Sequence, residues 1–205
     1  MRYALLAAAA LLSGCAGMSE SQCQLADWET VGFEDGVAGR SGAAIGEYRR
    51  DCAKAGVVPD RQAYETGRQA GLAEYCRPAN GYRLGDRGAG YAGVCGGHDE
   101  YAFLDAYRAG RVLYELRLNV NRHVAALDRL HGDIDDQKLR IAEIEKKLIA
   151  PETTTEERIT LLVDLKQASE LVGELEGAVF TEQQALAEAQ ARLNDAERAS
   201  AQAAW

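Results

Sequence analysis

The chain has 205 residues, with 32 acidic against 23 basic side chains and a net charge of −9. An acidic balance gives no electrostatic reason to bind nucleic acid, whose phosphates favour basic surfaces. Nor does it give an electrostatic reason to bind anionic lipid.

The first residues read MRYALLAAAALLSGCAGM, with Arg2 ahead of an apolar run from Tyr3 to Leu12. That run is too short to cross a bilayer as a helix and has the form of a secretory signal over residues 1–14. The segment LSGC has the form of a bacterial lipobox, which predicts cleavage before Cys15 and lipidation of Cys15, palmitate included. Residues 15–22 are then a lipidated N-terminus and tether. An aspartate after such a cysteine retains a protein at the inner membrane. Ala16 stands there instead, so the expected location is the periplasmic face of the outer membrane, with the membrane as a partner through lipid. No other apolar run approaches the ~20 residues of a spanning helix. Removing residues 1–14 takes away Arg2 and no acid, leaving 22 basic against 32 acidic side chains and a net charge of −10.

Four cysteines remain: Cys23, Cys52, Cys76 and Cys95. An even number in an oxidising compartment reads as two disulfides, with three possible pairings. Residues 24–38 and 43–54 are predicted helices with a break at GRSG (39–42). If they form an antiparallel hairpin, Cys23 returns beside Cys52, and Cys76 with Cys95 closes the following loop. This pairing is favoured over the crossed ones.

Pro59 and Asp60 stop one segment and cap the next, a helix over 61–76. Its YETGRQAG carries Gly67 and Gly71, as WETVGFEDG carries Gly32 and Gly36. A glycine inside a helix costs about 1 kcal/mol relative to alanine. Residues four apart share a face, so each pair makes a smooth strip for close approach by a helix or a ring. A looser copy, YRAGR, begins at Tyr107. Residues 77–97 read as a glycine-studded loop with short extended pieces near Tyr91–Val94. From Asp99 to about Ile149 the chain is predicted helical.

Of 21 glycines, 18 lie at or before Gly110. The later composition, rich in Ala, Leu, Glu, Gln, Lys and Arg, is that of long helices. Pro151 marks a turn near 150–154, with Thr154 and Glu157 at capping-box spacing. Beyond it runs a seam of Leu161, Leu165, Ala168, Val172, Leu175, Val179, Glu182, Leu186, Ala189, Leu193, Ala196 and Ser200, in unbroken steps of four and three. Before the turn the predicted partner seam is Val120, Val124, Leu127, His131, Ile134, Lys138, Ile141 and Leu148. The expected fold is therefore all-α: a disulfide-stapled helical domain over 23–118, then an antiparallel coiled-coil hairpin over 119–205. The alternative is parallel self-association of the last helix between subunits.

His98 follows Cys95 at a spacing zinc could use, but no second pair accompanies it. His131 is placed on the seam with His123 beside it. Glu34/Asp35 and Asp135/Asp136 read as solvated helix faces, and GDRGAG (85–90) as turn glycines. No catalytic residue, metal site or cofactor is assigned.

The signatures C…W…G..DG..GR (23–40), C…G…PD…Y..GR..GL..YC (52–76), G…G..G.GY.GVC (81–95) and F…Y..GR.LY (103–114) resemble the family known as domain of unknown function 2799. The likeness covers roughly residues 20–118. Its members are small bacterial lipoproteins without an established biochemical role. The resemblance implies an envelope location and an intact domain, and transfers no catalytic residue. The expected function is a structural or protein-interaction module working through its coiled coil, with a protein partner or its own copies. The alternative is an enzyme or small-ligand binder acting through 77–97.

Overall fold

The computed structural model describes residues 17–203. Among them every regular element is helical: α1 (Glu20–Leu25), α2 (Trp28–Val37), a 3₁₀ turn (Gly42–Ala44), α3 (Ile45–Cys52), α4 (Arg61–Tyr75), α5 (Pro78–Asp86), α6 (Glu100–Ile149) and α7 (Thr155–Gln202). They form two compact units. One holds the described residues up to Gly81 together with Gly90–Ala106, the other Tyr82–Ala89 and the residues from Tyr107 on. No helix among the described residues is long and apolar enough to cross a membrane.

In the first unit, α2 packs on α4 through the two glycine strips. A methyl group on Gly32 would strike the Tyr64 carbonyl oxygen, and one on Gly36 that of Arg68. In return, methyls on Gly67 and Gly71 would strike the carbonyls of Glu29 and Phe33. The glycines thus let two backbones touch, at the helix-propensity cost expected. The bridges are Cys23–Cys52 and Cys76–Cys95, with Cα atoms 5.5 and 5.6 Å apart. Cys23, Trp28, Cys52 and Tyr64 form a buried core.

Three segments differ from expectation. The helix predicted over 24–38 is two, because Asp27 caps α2 by accepting from Glu29 N at 3.1 Å and the chain breaks there. Residues 78–86, expected as loop, are a helix that begins at Pro78, a residue suited to a first turn. Tyr91–Val94 carries no strand.

The glycines of that supposed loop are packing glycines. A methyl on Gly81 would strike the Phe103 carbonyl; in the second unit, one on Gly85 would strike that of Tyr107, and one on Gly110 that of Tyr82. The spacing 32/36/39 recurs as 81/85/88, and Tyr64/Gly71/Tyr75 recurs as Phe103/Gly110/Tyr114. Gly39 ends α2 at φ +69° beneath the Tyr75 ring, and Gly88 ends α5 at φ +72° beneath the Tyr114 ring. Both positions need a left-handed residue, and a side chain would also meet the ring. The turn bonds match too: Arg40 N donates to Asp35 O and Ala89 N to Leu84 O. The chain therefore uses one helix-pair design twice, and the loose repeat read at Tyr107 is the second half of the second copy.

In the second unit α6 and α7 form an antiparallel hairpin around Ala150–Thr154. Thr154 completes a capping box with Glu157, and Arg158 Nη2 donates to Ala150 O at 2.8 Å across the turn. All twelve α7 seam residues from Leu161 to Ser200 are buried or half-buried. On α6 the seam is Leu113, Leu116, Val120, His123, Leu127, Leu130, Ile134, Gln137, Ile141, Ile144 and Leu148, again in threes and fours. The predicted Val124, His131 and Lys138 are exposed. Each is one position too late, and Ile144 was missing. The polar His123 and Gln137 disguised the true register.

Candidate functional site

Cys15, the predicted lipidation site, and the rest of the lipobox lie outside the described residues. Cys23, Cys52, Cys76 and Cys95 are all buried in their bridges. The Cys95 sulfur is thereby committed, so His98 has no thiolate beside it. His131 is exposed on α6, whereas His123 faces α7.

One polar cluster escaped the sequence reading. Asp35, taken for part of a solvated face, is only 5 % exposed. It sits on the α4-facing side of α2, one residue before Gly36. It accepts from Tyr64 Oη on α4 at 2.7 Å, from Tyr48 Oη on α3 at 3.0 Å and from Arg40 Nη1 at 3.0 Å. Arg40 reaches it because the Gly39 turn ends α2 and brings the chain back. The same guanidinium donates to Tyr48 Oη at 2.8 Å and to Glu47 at 2.6 Å. Burial, then the Asp35 charge, pushes the Tyr48 phenol up to about 12. Tyr64 is raised as well, by burial first and then by its bond to Asp35.

In the second helix pair the position of Asp35 is Leu84 and that of Tyr64 is Phe103, both buried. The helix-pair design therefore works with hydrocarbon at these places. The polar version ties α3, and so Cys52, to the α2/α4 pair. Every partner of Asp35 donates to it, and both phenols are held protonated. This is a positioning network rather than an acid–base pair. A signal was present in the sequence: an acid next to a strip glycine, followed by Gly-Arg. Arg40 and Tyr48 also line an open cavity of about 600 Å³ with Gly17, Met18, Gln22, Glu47, Arg50 and Asp51.

The hairpin offers a second surface. With the α7 seam spent on α6, the opposite side carries Ile159, Val163, Lys166, Glu170, Gly173, Gly177, Phe180 and Gln184, also spaced in threes and fours. Ile159, Val163 and Phe180 are exposed, as are Leu162 beside them and Ile149 at the turn. Side-chain space at Gly173 and Gly177 is open. Glycines at this spacing are what bring α2 and α4 into contact. Among the described residues no group of three or more acidic, histidine or cysteine side chains is placed to hold a metal ion.

No curated protein and no solved structure matches the chain. The model of the family described as protein of unknown function (DUF2799) matches residues 27–112, a segment that takes in both glycine-packed helix pairs and ends within α6. Over that segment the chain matches the DUF2799 family that its motifs resemble.

Proposed function

We propose that the chain is a lipid-anchored protein of the cell envelope, held through Cys15 at the periplasmic face of the outer membrane. On this reading its hairpin is a docking surface for another protein. The lipobox form of LSGC and the two disulfides support the compartment. The observation that carries the interaction role is the outer stripe of α7, where Ile159, Val163 and Phe180 stay exposed beside two glycines with open space. A helix whose hydrophobic seam is already satisfied has no internal use for such a stripe.

Two measurements test the reading. Cys15→Ser should leave the protein unprocessed or release it from the membrane fraction; unchanged fractionation would remove the anchor. Photocrosslinking amino acids placed at Val163 and Phe180 in living cells should give adducts of discrete mass, and one at exposed Glu188 should not. Crosslinks only to a second copy would make the partner the protein itself. Absence of discrete adducts along the hairpin would remove the interaction role.

A further inference from the structure

The outer stripe of α7 is complementary to itself. Ile159 and Val163 protrude from it, 61 % and 51 % exposed, and Gly173 and Gly177 leave open space further along. Between them stand Lys166 and Glu170, one helical turn apart, with Nζ 3.6 Å from Oε1. The pairs Ile159/Gly177, Val163/Gly173 and Lys166/Glu170 share a single midpoint at Ala168. Resting on the docking role proposed above, we infer that the protein docked on this stripe is a second copy of the chain. The two α7 helices lie antiparallel, related by a two-fold axis at the level of Ala168.

A two-fold interface sets residue i on j and j on i, so each of these pairs is made twice. Every protruding side chain enters the gap over a glycine of the other copy, and every ammonium faces a carboxylate. The layers follow steps of four and three, as the inner seam does, so the packing runs without a slip. Two other arrangements fail on charge. Parallel helices would set Lys166 on Lys166 and Glu170 on Glu170. An antiparallel shift by one layer would set Val163 on Phe180, but would leave the two Glu170 carboxylates about 5 Å apart along the axis. Each Lys166 would then lie about 10 Å from the acid of the other copy. Copies of a chain with net charge −9 repel at long range, so opposite charges at close quarters decide the register. The matched stretch from Ile159 to Gly177 is about 27 Å long. A contact that small makes a reversible dimer, best read by crosslinking.

The test uses two differently tagged copies of the full chain in one cell, one of them with a photocrosslinking amino acid at Phe180, just outside the matched stretch. An adduct carrying both tags should form and should map near Glu156 of the other copy. With Lys166→Glu in both copies, or Glu170→Lys in both, like charges meet and the adduct should fall roughly tenfold. With Lys166→Glu in one copy and Glu170→Lys in the other, opposite charges meet again and the yield should return. Both side chains are largely exposed, and the restored mixture shows that each variant still folds. Equal yields in all combinations, no recovery in the mixture, or an adduct mapping near Val163 would overturn the inference. Discrete adducts to other proteins alone would overturn it and leave the docking role standing. No discrete adduct of any kind would remove both.

Discussion

His123 Nδ1 on α6 lies 2.6 Å from Glu182 Oε1 on α7, a polar rung in an otherwise mostly apolar seam. The pair fixes which residues face one another along the hairpin, because a slip of one heptad would set each group against hydrocarbon. Leucine at either position alone leaves the other half-buried and unpaired, at about 1–3 kcal/mol. Leucine at both should restore most of the loss while loosening register. A double-mutant cycle by chemical denaturation reads the coupling; additive losses would mean the two groups do not interact.

The glycines divide into two kinds with opposite predicted signs. Gly67→Ala puts a methyl on the Glu29 carbonyl, and should cost about 1–3 kcal/mol as the helices are forced apart. Gly173→Ala meets open space, and should stabilise the hairpin by about 1 kcal/mol through helix propensity. On the docking proposal it should also weaken crosslinking from Phe180. Thermal melts of the two variants decide the first point, and equal shifts would contradict the packing described.

Alkali should open the Asp35 network. An unfolded tyrosine ionises near pH 10, whereas the folded protein holds the Tyr48 phenol up to about 12. Because the folded value is raised, the network's contribution is complete below about pH 10 and is lost as pH rises towards 12. Tyrosinate absorbance should show late-ionising phenols, with one fewer of them in Tyr48→Phe because Tyr64 is raised as well. A wild-type titration finished by pH 10.5 would contradict the buried cluster.

Much of the fold was legible because the two helical periodicities are separate signals. The α7 seam could be read residue by residue from its steps of four and three. The α6 seam could not, since His123 and Gln137 occupy core positions while Val124 and Leu139 face solvent. Hydropathy alone points to the wrong residues there, and only the partner helix settles the register. Gly32, Gly36, Gly67 and Gly71 were readable as strips because each pair sat in a segment already predicted to be helical. Gly81 and Gly85 lay among so many glycines that local propensity favoured a loop. Their role depends on the Phe103 and Tyr107 carbonyls, well away along the chain. Asp35 was misread for a similar reason. Only its place beside Gly36 separates it locally from its neighbour Glu34, and its burial follows from Tyr48 and Tyr64 arriving from other helices.

The docking proposal depends on α7 spending its seam on α6 of the same chain, so that the opposite stripe is left for a partner. Spin labels carried on unnatural amino acids at positions 129 and 176 test this directly. In the register set by His123 and Glu182 these exposed positions lie across from each other. The account predicts a separation of about 20 Å, two packed helices plus the labels, unchanged when labelled protein is diluted into unlabelled protein. A separation near 65 Å, the span of two helical segments laid end to end, would contradict it. So would a short distance that vanishes on dilution, which would make the last helix an oligomerisation device.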